Sequence, residues 1–261
     1  MAHAAAVELF DEGLERRVGA VDRDHAGAMV LFIPGFMQRG DAWRPVAELL
    51  PERYPSTLLD HAKHSFEGRM GEIAEVAAGA AGPPVLVGYS LGGRLALRAA
   101  LREPDAYAGV VTVGATAGIE EGPLRVTRAE ADEKLASWME AMPIEDIVGL
   151  WERQPLFADQ SDALVEEQRP GRLSHDPRQL ALILRTAGQG VLDPVWHELR
   201  GLELPLLAIA GARDDGYSAA AKRIASTAPR GQAAIVEEAG HAAHLQQPER
   251  VAGLISEFLN R

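Results

Sequence analysis

The sequence contains no cysteine, and its positive charge comes almost entirely from arginine. Only three of the 26 basic residues are lysine, namely Lys63, Lys134 and Lys222. The absence of cysteine excludes disulfides, a thiolate nucleophile and any cysteine-ligated zinc or iron–sulfur centre, and it favours a reducing cytoplasmic location. Because arginine is the common cation of this chain, an arginine in a motif is weak evidence unless a second feature supports it.

Long apolar segments and net positive charge are also missing. The longest purely aliphatic and aromatic run, residues 29–33, ends at Pro34 and is too short to span a membrane. Residues 1–17 lack the basic start and apolar core of a signal peptide. The formal net charge of −12 disfavours binding to nucleic acid and to anionic membrane surfaces. We therefore expect no nucleic-acid partner and no membrane insertion.

No motif for a cofactor or a metal has all the residues that its chemistry requires. Segment 35–41 has the two glycines of a phosphate-binding loop, but Asp41 stands where lysine is required. No Gly-x-Gly-x-x-Gly follows a predicted strand, so a dinucleotide site is not supported. His61 and His64, beside Asp60, lack a further ligand at metal spacing, which favours a solvated loop. We expect neither a metal nor a cofactor.

Predicted strands and helices alternate along most of the chain, which is typical of a mostly parallel sheet covered by helices on both faces. Residues 5–23 alternate apolar and polar positions and predict an N-terminal hairpin. Further strands are expected at 28–36, 56–60, 84–90, 108–116, 206–211 and 233–240, and helices at 42–54, 67–81, 91–103, 219–228 and 248–261. The fold class is therefore α/β.

Between residues 118 and 200 the pattern changes. Acidic, arginine-rich helical stretches follow one another there without a convincing strand, the last of them at 193–202. Because the strand–helix alternation then resumes, we interpret residues 118–200 as an all-helical cap inserted into one core made of residues 1–117 and 201–261.

One short motif combines a strand, a tight turn and a helix around a serine. "GYSLG", residues 88–92, fits Gly-x-Ser-x-Gly, with a predicted strand before it and a helix after it. Glycines are needed there because neighbouring backbone crowds a serine in a strained turn. We interpret Ser90 as the reactive group of a nucleophile elbow. The alternative is a helix cap with glycines that serve only packing.

A reactive serine needs a base and an acid that orients the base. His241 follows the last predicted strand, and Asp214 follows the first strand after the insertion. The order Ser90, Asp214, His241 places each residue at the carboxyl end of a strand, where sites of parallel sheets lie. Asp215 is a rival for the acid, and His244 is expected to pack or to hydrogen-bond locally.

The reaction would also need two backbone N–H donors for a developing oxyanion. One is expected from Leu91, directly after the serine, and the other from Phe36 in the loop after the first buried strand. Enzymes with this motif usually carry His-Gly in that loop, whereas this chain has Pro34 and Gly35. Proline leaves the N–H of Phe36 intact but removes a histidine that usually braces the loop.

With these residues placed, the chain resembles the α/β-hydrolase superfamily over essentially its whole length. Within it, the sequence is similar to the 2-succinyl-6-hydroxy-2,4-cyclohexadiene-1-carboxylate synthases of menaquinone biosynthesis. The matching stretches are "VGYSLGGRLAL", "RAEADEKLA", "LWERQPLFA", "QRPGRLSHDPRQLALILRTAGQG", "PVWHEL" and "AGHAAHLQQPERV". Several of them lie in the helical insertion, where hydrolase families differ most.

The resemblance implies a lyase that needs no cofactor, in which the base removes a ring proton and pyruvate leaves. It also implies a small-molecule partner with carboxylate or carbonyl groups, and it leaves the oligomeric state open. Five substrate-binding residues follow from it: Tyr89, Arg94, Arg128, Trp151 and Arg169. The planar fork of an arginine suits a carboxylate, but each arginine has the alternative of a solvated position or an ion pair.

Two further readings remain open at this stage. A serine hydrolase, acting on an ester or on a carbon–carbon bond next to a ketone, would use the same triad with Ser90 as nucleophile. A catalytically silent receptor of the same fold is disfavoured by an intact triad in the correct order.

Residues 58–68 replace a Pro-Gly-His-Gly-like turn of the relatives, which alters the expected entrance of the pocket.

Overall fold

Six strands form one parallel sheet in the computed structural model, which describes His25 and residues 27–261. Their order across the sheet is β2-β1-β3-β4-β5-β6, and each neighbouring pair runs parallel. The strands are β1 (Val30–Ile33), β2 (Ser56–Leu58), β3 (Val85–Tyr89), β4 (Gly109–Val113), β5 (Leu206–Gly211) and β6 (Gly231–Val236). This arrangement confirms the predicted α/β class.

Alternation along the strands divides the apolar core into two layers. Successive side chains of a strand point to opposite faces of the sheet. Val30 and Phe32 accordingly belong to one buried cluster, and Leu31 and Ile33 belong to the other. Because both faces are covered, β1 is apolar at every position, as expected of a parallel strand.

Ten α-helices accompany the sheet in the described part of the chain. Those of the sheet-bearing segments are α1 (Arg44–Ala47), α2 (Phe66–Ala78), α3 (Leu91–Arg102), α8 (Asp215–Thr227), α9 (Ala243–Gln246) and α10 (Pro248–Leu259). Between β4 and β5 lie α4 (Gly122–Ala141), α5 (Ile144–Glu152), α6 (Asp162–Leu173) and α7 (Pro177–Ala187). No strand is assigned between residues 114 and 205, so this segment is helical and irregular.

The α4–α7 segment packs on one of the two core layers. Its buried apolar side chains, among them Ala136, Met139, Ile147 and Leu180, join the cluster that contains Leu31 and the buried face of α3. Helices α4 and α7 lie against each other, and α5 lies against α6. The helical segment therefore shares one apolar core layer with α3.

The strand order reverses direction at β1. The chain passes from β1 to β2 on one side and then returns to place β3 on the other side of β1. A crevice forms at the carboxyl ends of strands where such a reversal occurs, and ligands of open α/β sheets bind there. The loop after β1 and the turn after β3 meet at this point.

Two segments predicted to be helices have less helix in the structure than predicted. Helix 42–54 is reduced to a 3-10 turn at Gly40–Trp43 and the single turn of α1, because Pro51 disfavours helical backbone at the residue before it. Segment 193–202 is helical only in a 3-10 turn at Glu198–Gly201.

Tertiary hydrogen bonds explain the second difference. The N–H of Val195 donates to the Ala117 carbonyl at 2.8 Å, and Trp196 Nε1 donates to the Gly118 carbonyl at 2.9 Å. These bonds hold the start of the segment in an irregular form beside the chain that leaves β4.

The predicted hairpin at residues 5–23 lies outside the described residues. Within the described part of the chain, every helix is too short or too polar to cross a bilayer.

The turn between β3 and α3 brings three backbone segments into direct contact. Ser90 adopts φ 48° and ψ −106°, a region that costs a non-glycine residue about 1–3 kcal/mol. A Cβ atom on Gly88 would overlap the carbonyl group of Gly92, and one on Gly92 would overlap the carbonyl oxygen of Ile33. The two glycines therefore let the first turn of α3 lie directly on the end of β1.

We predict that Gly92→Ala lowers the free energy of unfolding by about 1–3 kcal/mol, because backbone must shift to admit the methyl group. Gly71→Ala is the matched control, since nothing lies within 4 Å of a Cβ at this helical position. That control should gain about 0.5–1 kcal/mol. Urea denaturation of both variants measures the two effects, and equal stability of both would contradict the steric explanation.

Candidate active site

Three side chains form a hydrogen-bonded chain at the carboxyl edge of the sheet. The Oγ of Ser90 lies 3.2 Å from Nε2 of His241, and Nδ1 of the same ring lies 2.8 Å from Oδ2 of Asp214. A carboxylate can only accept, so it assigns the ring proton to Nδ1 and leaves Nε2 free to accept the serine proton. The structure thus brings together the three residues that the sequence singles out as a triad.

Asp214 performs two tasks from the end of β5. Its Oδ1 accepts the N–H of Tyr217 at 3.2 Å and caps α8, while Oδ2 binds His241. The helix cap fixes the carboxylate, so its second oxygen points at the imidazole. Asp215, the rival acid, is the first residue of α8 and is exposed.

Aromatic rings hold His241 in place. The imidazole is 3% exposed, and its centroid lies 4.3 Å from the ring of Tyr217 and 5.3 Å from that of Tyr89. The loop that carries His241 is itself held by Gln246, whose side chain accepts the N–H of Gly240 at 2.8 Å. The base therefore has little freedom to rotate away from Ser90.

The two expected oxyanion donors lie on the same cavity as Ser90. Leu91 is the first residue of α3, so its N–H has no acceptor within the helix. Phe36 lies in the loop after β1 and packs edge-on against Trp151, with the ring centroids 5.2 Å apart. Both residues line the cavity that also contains the exposed edge of His241.

This cavity has a volume of about 340 Å³, which suits a small organic ligand. Ser90 and His241 lie at its sheet side, and α4, α5 and α7 contribute its opposite wall. Most of the wall is apolar or aromatic, with polar side chains at a few points. A ligand bound there would be enclosed between the sheet and the helical segment.

The predicted arginines occupy different environments. Arg94 is 7% exposed, lines the cavity and donates from Nη1 to the Ala187 carbonyl at 2.8 Å. Burial lowers the pKa of its guanidinium to about 10, so the group remains charged at neutral pH. Among the described residues, no carboxylate lies within ion-pairing distance of it.

Arg128 also lines the cavity, and its Nε donates to Oδ1 of Asp132 at 2.8 Å, one helical turn along α4. This bond uses Nε, and among the described residues no hydrogen bond involves the two terminal nitrogens of this guanidinium. Those nitrogens form the edge that a carboxylate can accept from at two points.

Arg169 is the predicted substrate-binding residue that the structure does not place on this cavity. It forms an ion pair with Glu152, which also accepts from Arg172 at 3.0 Å. Glu152 is buried and follows Trp151 on α5. Arg169 therefore lies behind the aromatic wall and fixes the helix that carries Trp151.

The two predicted aromatic residues both line the cavity. Tyr89 is 3% exposed, and burial raises the pKa of its hydroxyl well above the usual value, so it stays protonated. Trp151 packs against Phe36 and Phe157 and forms part of the outer wall. Their contacts are consistent with a closed apolar surface around a polar reaction centre.

Sequence reasoning missed the other polar side chains of this cavity, which belong to Asp132, Gln154, Gln189 and Tyr217. Tyr217 packs on the base, and Gln189 donates to its hydroxyl at 2.8 Å. A spacing of four between Arg128 and Asp132 on a predicted helix is the signal that indicates their pairing. No sequence signal indicates that residue 189, after α7, meets residue 217.

One histidine of the altered 58–68 segment, His61, is buried and has a partner, so the expectation of a solvated loop is wrong for it. His61 Nδ1 lies 2.8 Å from Glu72, whose other oxygen accepts the N–H groups of Ala62 and Lys63. Burial lowers the pKa of His61 to about 4 and keeps the ring neutral. In the described residues, no group of three or more metal-ligating side chains is arranged to hold a metal ion.

Comparison with known proteins supports this reading of the fold. A synthase of Enterobacter sp. (strain 638), named 2-succinyl-6-hydroxy-2,4-cyclohexadiene-1-carboxylate synthase, is 29% identical over 244 residues, covering 88% of this chain and 91% of that protein. A protein of Yersinia enterocolitica with the same name is 28% identical over 250 residues, covering 92% and 89%.

Solved structures show the same fold. MenH from S. aureus superposes with a TM-score of 0.84 at 24% identity, covering 90% of this chain and 94% of that one. An esterase from Thermogutta terrifontis superposes with a TM-score of 0.73 at 22% identity, covering 90% and 92%. The model of the alpha/beta hydrolase family matches residues 30–254. This chain therefore belongs to the α/β-hydrolase family.

Proposed function

We propose that this protein is a cofactor-independent lyase of the 2-succinyl-6-hydroxy-2,4-cyclohexadiene-1-carboxylate synthase type, which eliminates pyruvate from a cyclohexene precursor bearing several carboxylates. The observation that carries the proposal is the position of Arg94 and Arg128 on the cavity that contains Ser90 and His241. In a protein of net charge −12, two cations beside the reactive group favour an anionic substrate. The synthase relatives, which match along nearly the whole chain, support the same substrate class.

The chemistry follows from the hydrogen-bonded chain. Asp214 holds the Nδ1 proton of His241, so Nε2 is the free base, and Ser90 contacts or relays the proton that it removes. The ring C–H bond breaks, its electron pair becomes a second ring double bond, and pyruvate departs with the electrons of its bond to the ring. The proton on His241 is then available to the departing group.

Charge that develops on the carbonyl oxygen next to the removed proton needs donors in a dry site. The N–H groups of Phe36 and Leu91 are the proposed donors, and Arg94 and Arg128 are the proposed carboxylate-binding residues. Tyr89 and Trp151 would enclose the substrate, and Arg169 would act from behind Trp151 through Glu152. We propose that residues 118–200 form a cap on a core of residues 1–117 and 201–261.

The second candidate is a serine hydrolase in which Ser90 attacks an ester or a carbon–carbon bond beside a ketone. The backbone strain at Ser90 and its 3.2 Å approach to His241 suit a nucleophile equally well. Both reactions fit a small-molecule enzyme, and we propose a cytoplasmic location for it.

We expect purified enzyme to release pyruvate from the synthase precursor, and Ser90→Ala to lower kcat by about 10²–10⁴-fold, because proton transfer loses its serine. Lactate dehydrogenase and NADH report the pyruvate, and the Enterobacter relative provides the positive control for the precursor.

Two further measurements separate elimination from hydrolysis. In H₂¹⁸O, elimination places no solvent oxygen in the ring product, and the intact mass of the protein shows no covalent adduct. Solvent oxygen in the product, or an acyl adduct on wild type that is lost in Ser90→Ala, establishes the hydrolase. Absence of any Ser90-dependent turnover overturns both proposals.

Replacing either cavity arginine with alanine should lower kcat/KM. Arg94→Ala and Arg128→Ala are each expected to lower kcat/KM by about 10–100-fold, since a charge-assisted contact contributes about 1.5–3 kcal/mol. Arg178→Ala, at an exposed position of α7, is the matched control and should change kcat/KM less than twofold. If both cavity variants match the control while folding normally, the carboxylate-binding role of these arginines is wrong.

Arg169→Ala tests whether an arginine outside the cavity matters. Because this residue pairs with Glu152 behind Trp151, we expect KM to rise by less than in the Arg94 and Arg128 variants. A loss of kcat/KM as large as theirs would show direct contact between Arg169 and the substrate.

A further inference from the structure

The loop after β1 has lost the histidine that usually braces it, yet it is tied down by another side chain. Gln38 Oε1 accepts the N–H of Gly35 at 3.2 Å, and the backbone N–H of Gln38 donates to the Gly35 carbonyl at 3.3 Å. One residue thus binds both backbone groups of Gly35. The loop is closed on itself directly beside Phe36.

The orientation of the Phe36 N–H follows from the backbone bond to the Gly35 carbonyl, while the side-chain bond to the Gly35 N–H fixes the peptide before it. In a trans peptide the carbonyl of one residue and the N–H of the next point in opposite directions. Because the Gly35 carbonyl turns inward to accept from Gln38, the N–H of Phe36 faces the opposite way. Phe36 lines the cavity that contains Ser90, so the orientation of this peptide decides whether its N–H serves as an oxyanion donor.

A buried histidine holds the other end of the Gln38 side chain. Gln38 Nε2 lies 3.3 Å from Nε2 of His244, a residue with 0% exposure. An amide NH₂ donates, so His244 must accept at Nε2 and carry its proton on Nδ1. With Oε1 committed to Gly35 and Nε2 to His244, the amide has one orientation.

The surroundings of His244 keep it neutral and immobile. Its ring lies between Trp43 and Tyr89, with centroids at 4.4 Å and 4.2 Å, and Trp43 is bonded through Nε1 to the Ile33 carbonyl at the end of β1. Burial, together with the nearby His241, lowers the pKa of His244 to about 3, so Nε2 remains an acceptor at neutral pH.

We propose that Gln38 and His244 form the brace of the oxyanion loop in this protein, as positioning residues that orient the Phe36 N–H toward the reacting oxygen. The brace rests on the Ser90-dependent chemistry proposed above, and it assigns a task to a histidine that the triad does not use. His244 Nδ1 is buried and has no hydrogen-bond partner among the described residues. Such a group lowers stability, so its presence beside the site is consistent with a role in function.

Two variants test the brace. Gln38→Ala removes both side-chain bonds, and His244→Phe keeps a ring between Trp43 and Tyr89 while removing the acceptor. Each should lower kcat by about 10–100-fold with KM unchanged within twofold, because the donor acts on the transition state more than on the bound substrate. Gln179→Ala, at an exposed position of α7, is the matched control and should leave both constants unchanged.

The double variant and the melting temperature distinguish positioning from a structural role. If the pair acts as one unit, Gln38→Ala combined with His244→Phe should lower kcat no further than either single change. His244→Phe should keep or raise Tm, since it removes a buried unpartnered nitrogen. A fall in Tm that parallels the fall in kcat, multiplicative effects in the double variant, or unchanged kcat in either single variant would each overturn the brace.

The same measurements separate this proposal from the proposed function. If the wild-type enzyme releases pyruvate and Gln38→Ala keeps full kcat, the brace is contradicted and the proposed function is not. If wild type releases none, the variants are compared on Ser90-dependent hydrolysis of 4-nitrophenyl acetate, where a tenfold loss of kcat still supports the brace. Absence of Ser90-dependent turnover on both substrates overturns the brace together with the lyase.

Discussion

The close approach of α3 to the end of β1 is the constraint on which the rest of the site depends. Only glycine at positions 88 and 92 lets the helix begin against the carbonyl of Ile33. That contact lifts Ser90 above the sheet edge, leaves the N–H of Leu91 free of a helical acceptor, and brings the loop of Phe36 beside both. Ser90 and the proposed oxyanion donors are thus placed by one packing contact, and the backbone strain at Ser90 is the cost of it.

The buried polar groups of the site differ in how fully they are paired with other groups of the protein. The acid, the base and the serine satisfy one another, whereas Arg94 is buried with only a carbonyl partner among the described residues. A buried cation without a counter-ion is costly unless a ligand supplies the missing charge. Arg169, by contrast, is paired with Glu152, so it is less available to a substrate than Arg94 is.

The sequence was sufficient to predict what depends on local pattern. Apolar runs that alternate with helical segments predicted the parallel sheet. The order of Ser90, Asp214 and His241 at strand ends predicted the triad. Both signals are local, because strand patterning and turn chemistry are encoded within a few residues. The irregular segment at 193–197 could not be predicted, since bonds to Ala117 and Gly118 override its helical pattern. Gln38 and His244 are 206 positions apart, so only folding reveals that one replaces the missing loop histidine by contacting the other.

The bonds that join Val195 to Ala117 and Trp196 to Gly118 have a wider consequence. They place the entry and the exit of the helical segment side by side, so the path of the chain through the sheet does not depend on what lies between them. The sequence and packing of these helices can therefore change while the reactive groups on the strand ends stay in place. Arg94 and Tyr89 line the cavity from the sheet-bearing part, so these helices set only one wall of the space that a substrate would occupy.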